Sequence, residues 1–287
     1  MTVFALSNVT KYYDHFLAVS DLSFSAESSQ IIALLGSNGA GKSTAIKMLC
    51  GLSKPSAGEI TVFDKKFSNF ATQIKKEIGY VPEESALYED VTVFQYLLFF
   101  GSLYGLSKDV IMKRAKTLLA ELDLDAGDKL IAELSKGMKR KVLIARSLLH
   151  DPKLLIYDEP ASGLDPQTSA FILTFIQELQ RKGKTIIFSS HNLVHVEKIA
   201  QRVIIIHKGK MAFDGTVKEL TTKKHTSYTV TYRETNTSGN AESVGKEHTA
   251  SHTLAQIQEI AKKHEIVEIV SHQPTVEDAF FSLIKEK

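Results

Sequence analysis

The run Gly36-Ser-Asn-Gly-Ala-Gly-Lys-Ser-Thr44 constrains this chain more than any other stretch. It follows the apolar segment Ile31–Leu35, whose length suits a buried strand, and precedes Ala45, Ile46, Met48 and Leu49, which recur at helical spacing. Residues 36–43 satisfy G-x-x-x-x-G-K-[ST], and strand, glycine loop, helix is the context that this spacing needs. Glycine lets the backbone curl so that successive N–H groups, from Gly36, Ser37, Asn38, Gly39, Ala40 and Gly41, face one anion together with the positive end of the next helix. Lys42 then reaches the β- and γ-phosphates of a nucleotide, the Ser43 hydroxyl offers an oxygen to Mg²⁺, and Thr44 completes the phosphate-binding turn. Mg²⁺ and ATP are the expected ligands.

A second chemical feature lies far downstream. Leu154-Leu-Ile-Tyr-Asp158-Glu159 is an apolar strand ending in two adjacent acids, closed by Pro160. Carboxylates at the end of a buried strand are costly unless they hold a cation or a water. Asp158 suits a Mg²⁺ role, direct or through water, and Glu159 can take a proton from an attacking water.

Apolar runs at 78–81, 185–189 and 203–207 alternate with helical patterns at 168–181 and 194–200. Such alternation implies an α/β domain with a parallel sheet. The first stretch reads as short strands, including 23–26, and forms an antiparallel β part. From about 91 to 150 helical spacing dominates, with Ile111, Ala115, Leu118 and Leu119 on one face of 108–122, so a helical subdomain is inserted between strands. Near residue 221 the pattern changes: Tyr228, Val230 and Tyr232 alternate with threonines, 234–247 reads as a loop, and two helical segments follow. Thr253 with Gln256 and Thr275 with Asp278 have capping-box spacing. The expected organisation is an ATPase domain over 1–221 and a small α+β appendage over 222–287.

Leu134-Ser-Lys-Gly-Met138 precedes the acidic strand by about twenty residues and resembles the LSGGQ signature of ABC ATPases, with Lys136 and Met138 as departures. The resemblance extends along the whole chain and implies a P-loop NTPase fold of ABC type. It implies that Ser135 and Gly137 approach a γ-phosphate, that Tyr13, or its neighbour Tyr12, stacks on adenine, that Asp165 in Ser162-Gly-Leu-Asp165 belongs to a loop at a dimer interface, and that His191 senses the γ-phosphate. Where the family has glutamine after the 78–81 strand, this chain has Glu83 in Pro82-Glu-Glu84. A carboxylate there either ligates Mg²⁺ more strongly than an amide would, while repelling the γ-phosphate, or points away. The Pro-Glu pair, the Leu-Ser-x-Gly-Met signature and Pro274-Thr-Val-Glu-Asp-Ala-Phe280 resemble exporter-type ABC subunits.

The partners implied are a second nucleotide-binding subunit, identical or not, and an integral membrane permease subunit. An importer subunit and a non-transport ABC protein gripping a macromolecule are the alternatives. One glycine loop, one signature and no heptad run count against the latter. Lys and Arg total 35 against 33 acids, without a basic stripe, so nucleic acid is not an expected partner. Cys50 is the single cysteine and the first ten residues lack a signal-peptide pattern, so the cytoplasm is the expected compartment, and the membrane subunit implied by the resemblance puts the chain at the cytoplasmic face of the cell membrane, peripheral through that subunit. The most apolar stretch, 91–104, is shorter than the roughly twenty residues a span needs. His248 and His252 lack companions that would complete a metal site, and read as solvated polar residues.

Overall fold

A computed structural model describes residues 1–84, 86–222, 227–233, 247–252, 254–272 and 275–285. They form two compact units, Met1–Val217 and Lys218–Lys287.

The first unit is built on a six-stranded sheet in the order Lys210–Thr216, Arg202–His207, Ile31–Leu35, Thr185–Ser189, Leu154–Asp158, Ile78–Val81. Only the first pair is antiparallel. Ile31–Leu35, Leu154–Asp158 and Thr185–Ser189 are buried at every position. Both faces of these strands are covered, which is why they read as unbroken apolar runs rather than alternating ones. Burying each of their leucines and isoleucines contributes about 1.5–3 kcal/mol. Because the strands run parallel, their C-terminal ends share one edge of the sheet. The glycine loop, the Asp158–Glu159 pair, the segment leading to His191 and the Pro82–Glu83 loop all leave from that edge, where ligands bind in open α/β sheets.

A second, antiparallel sheet runs Phe16–Glu27, Thr2–Tyr13, Ala57–Val62, Lys65–Lys66. Its first two strands are twelve residues each, longer than the short strands expected from the sequence. Register shifts and left-handed residues, Asn8 at φ 51° and Asp21 at φ 52°, break the alternation that marks a strand. Phe4, Leu22 and Val62 of this sheet share a core with Ile32, Leu34 and Ile46.

The inserted helices are Val93–Leu103, Lys108–Glu121 and Lys136–Leu148. The first begins with a reciprocal box, in which Thr92 Oγ1 accepts from the Gln95 N–H and Gln95 Oε1 from the Thr92 N–H. Ile111, Ala115 and Leu119 are buried as their spacing predicts, and Leu118 is half-buried. No described helix is long and apolar enough to cross a membrane.

The second unit has a three-stranded antiparallel sheet, Glu247–His252, Ser227–Arg233, Glu265–His272, with helices Leu254–Ala261 and Val276–Lys285. Two of these strands were not expected. Glu265–His272 carries Ile266, Val267, Ile269 and Val270, which do not alternate, and Glu247, placed by sequence at the end of a loop, opens a strand. At the last helix Thr275 Oγ1 accepts the Asp278 N–H, and Asp278 Oδ2 accepts the Thr275 N–H, each at 3.1 Å. Residues 234–246, Thr253 and Pro274 lie outside the described residues, as do the side chains of His248 and His252.

Candidate functional site

A cleft of about 620 Å³ opens at the sheet edge, between the glycine loop and the two acids, with Tyr13 and Phe16 at its side. The loop conformation follows from its glycines. Gly39 has φ 78° with open space where a Cβ would stand, so a ligand can approach the backbone closely. Gly41 has φ 109°, and a Cβ there would lie 2.7 Å from the Ala18 carbonyl oxygen. Helix Lys42–Leu49 starts at once, burying Ala45, Ile46, Met48 and Leu49 and directing its N-terminus at the cleft.

The Lys42 ammonium donates to the Gly36 carbonyl at 2.7 Å and the Ser37 carbonyl at 3.2 Å. Burial lowers its pKa, and the negative charges of Glu159, Asp158 and Glu83 work against that shift. Asn38, Ala40, Ser43, Thr44, Glu83, Asp158, Glu159 and His191 line the same cleft. Gly36 and Ser37 hold the lysine rather than lining it.

The acids are fixed by a residue that the sequence reading passed over. Ser189, fully buried at the end of the neighbouring strand, donates through Oγ to Asp158 Oδ1 and accepts the Glu159 N–H at 2.9 Å. Glu159 has φ 49°, a left-handed conformation costing about 1–2 kcal/mol for a residue with a Cβ, and this bond helps to hold it. Burial pushes the Glu159 pKa up, opposed by the hydrogen bond from His191, whose Nδ1 lies 2.9 Å from Oε2. The signal available in the sequence was a serine closing an apolar strand next to the acid-bearing one. Phe16, three residues after Tyr13 and also in the cleft, was missed too; of the adjacent tyrosines, Tyr13 lines the cleft and Tyr12 does not.

Ser43, Glu83 and Asp158 all present oxygen, the donor type of hard divalent cations. Three carboxylates, Glu83, Asp158 and Glu159, face one ammonium. A polyphosphate entering such a cleft needs further positive charge, so the residues present fit a bound Mg²⁺.

Ser135, Gly137 and Asp165 are not brought to this cleft. Gly137 and Asp165 meet at Thr168, and Ser135 opens the helix that carries Gly137. Ser135 caps helix Lys136–Leu148 by accepting the Met138 N–H at 3.2 Å. A Cβ on Gly137 would touch the Thr168 methyl at 3.0 Å. Asp165 caps helix Pro166–Arg181 by accepting the Thr168 N–H at 2.8 Å, which holds its carboxyl below the usual range. The signature segment and the Ser162–Asp165 loop thus form a second cluster.

Residues 19–162, from the edge of the cleft through the glycine loop, the signature and the acids, match the family described as ABC transporter. The chain belongs to the ABC transporter family. This ABC chain is 38% identical over 205 residues to the ABC transporter ATP-binding protein NatA of Bacillus subtilis (strain 168), covering 71% of the chain and 83% of that protein. It is 38% identical over 211 residues to the Nod factor export ATP-binding protein I of Rhizobium sp. (strain N33), covering 73% and 69%. A solved ATP binding subunit of an ABC transporter superposes with a TM-score of 0.71 at 32% identity, over 77% of this chain and 93% of that one. The protein is an ATP-hydrolysing motor subunit of an ABC transporter.

Proposed function

We propose that this ABC subunit works as a pair, on the cytoplasmic face of a membrane, to drive export through a separate membrane subunit. One observation carries the pairing. Lys42, Ser43, Asp158, Glu159 and His191 share a cleft, whereas Ser135 and Gly137 sit at the start of a helix outside it. A helix start offers unpaired N–H groups and partial positive charge, which suits the γ-phosphate of a nucleotide held by the other copy.

In this reading Tyr13 and Phe16 carry the adenine, the loop and Lys42 hold the phosphates, and Ser43, Asp158 and Glu83 hold Mg²⁺. When bound, Mg²⁺ neutralises charge on the phosphate oxygens. Glu159 accepts the proton of the attacking water. His191 orients the Glu159 carboxylate through its Nδ1 contact. Asp165 steadies the loop beside the signature. Transfer of Lys42 from the loop carbonyls to phosphate oxygens exchanges neutral acceptors for charged ones, which adds charge–charge attraction to bonds that the ammonium already makes.

Export is supported by the Nod factor export relative and by Glu83 with the Pro-Glu pair. The membrane contact is placed on the helical insert beside Glu83. There Tyr88, Phe99 and Leu103 are exposed at 59%, 50% and 65%, and the Tyr88 ring packs on Phe99 and Phe100. Exposed aromatic clusters of this kind mark interaction surfaces.

The shared site is tested by dilution and mixing. Activity per molecule rises with protein concentration. Ser135→Arg and Lys42→Ala are each inactive alone, and a mixture regains one complete site in each mixed dimer. Dilution-independent activity with a dead mixture refutes the pairing.

A further inference from the structure

We propose that Arg140 is a positioning residue that couples the two halves of the shared site, locking the loop that carries Glu83 to the helix that presents Ser135 and Gly137; this rests on the shared-site reading above. Arg140 lies in helix Lys136–Leu148 and is 6% exposed. A buried guanidinium must find partners. Its Nη1 donates to the Pro82 carbonyl at 2.9 Å and its Nη2 to the Glu83 carbonyl at 2.8 Å. Both acceptors belong to one short loop, and that loop's Glu83 side chain lines the nucleotide cleft.

The geometry leaves little slack. Arg140 is five residues from Ser135, about 7.5 Å along a rigid helix, and the planar guanidinium grips two consecutive carbonyls as a fork. The neighbouring Lys139 makes a second tie from this helix, where its Nζ meets Glu89 Oε1 at 2.8 Å. Lower down, Ser147 and Tyr157 join their hydroxyls at 3.1 Å, linking the same helix to the Asp158 strand. A displacement of the Glu83 loop by nucleotide in its own cleft is therefore carried to the helix start that serves the other copy's nucleotide. Without Arg140 each cleft still fills, but filling one no longer sets the signature residues for the other.

The test uses the purified full-length chain with Mg²⁺-ATP. Arg140→Met keeps the unbranched apolar stem of the side chain and removes the guanidinium fork at its end. It lowers kcat about tenfold or more, while ATP binding to the dilute, unpaired chain stays within about twofold. Arg140→Lys, which can donate to one carbonyl but cannot form the fork, recovers only part of kcat. Hydrogen exchange gives a readout that a merely structural role would not move. In the dilute wild-type chain ATP changes exchange at both 79–84 and 135–140; in Arg140→Met it changes 79–84 alone. Wild-type kcat in Arg140→Met, a parallel loss of kcat and ATP binding, or an unaltered response at 135–140 overturns the proposal. The Ser135→Arg with Lys42→Ala mixture keeps Arg140, so a dead mixture condemns the shared site itself, whereas a revived mixture with wild-type kcat in Arg140→Met condemns only the coupling.

Discussion

Ser189→Ala removes one oxygen atom from a fully buried position and breaks two bonds at once. The Glu159 N–H loses its acceptor, and Asp158 Oδ1 loses a donor. Leaving a buried polar group without a partner costs about 1–3 kcal/mol, more if it is charged, so the pair of losses comes to about 3 kcal/mol after partial relaxation. For a unit of this size each kcal/mol moves Tm by about 2–4 °C, which places the expected fall at roughly 6–12 °C for the Met1–Val217 unit. Differential scanning calorimetry without nucleotide measures it. Ser190→Ala is the control, because Ser190 Oγ bonds only within its own turn, to the Asn192 N–H and carbonyl. The two acids also lose their mutual alignment in Ser189→Ala, so hydrolysis falls by more than ATP binding does. If Ser189→Ala unfolds within about 2 °C of wild type, the bridge between the acids is not what holds this edge of the sheet and the argument fails.

Glu159→Gln keeps the shape of the side chain and removes the base, and turnover falls on the order of 10²–10⁴-fold; near-normal turnover in the purified variant shifts the base role elsewhere. Because burial raises the Glu159 pKa, the ionised base disappears at a higher pH than for an ordinary carboxylate, and the acid limb of the kcat profile lies correspondingly high. The linked stability has the opposite sign to the usual acid: it is fully present below the ordinary carboxylate pKa and is lost as pH rises through the raised folded value. Glu159→Gln accordingly raises Tm more at pH 8 than at pH 4, and equal shifts at both refute the assignment. Tyr13→Ala and Phe16→Ala each weaken ATP binding about tenfold, from the loss of roughly 1–3 kcal/mol of base stacking, whereas Tyr12→Ala leaves it unchanged; calorimetric titration separates them. Single cysteines at Glu84, Tyr88 and Glu89 crosslink to the membrane subunit without competition from Cys50, which is buried; crosslinks obtained only from positions in 247–285 overturn the proposed contact.

The local chemistry of this protein was legible in its sequence because it is local. A loop from Gly36 to Ser43 can only curl one way between a buried strand and a helix, and Asp158–Glu159 ends its strand wherever that strand lies. Central strands were legible for the same reason, since burial on both faces leaves an uninterrupted apolar run. Where burial is one-sided or broken by bulges, as at Asn8 and Asp21, or where apolar residues fail to alternate, as at 266–270, the periodic signal faded and strands were shortened or missed.

Partnerships between distant residues needed the fold. Parallel pairing of Leu154–Asp158 with Thr185–Ser189 puts Ser189 beside Asp158 across 31 positions, and helix packing sets Arg140 against carbonyls 57 and 58 positions away. Neither residue type announces such a role, because a buried serine or arginine is defined by the acceptors and donors that surround it. The sequence by itself determined which groups meet phosphate, metal and water, since those roles follow from side-chain chemistry and short spacing. Tertiary structure decided which of them share one cleft and which, like Ser135, Gly137 and Asp165, are held apart from it, because a parallel sheet gathers its strand ends along one edge while the inserted helices carry their own residues elsewhere.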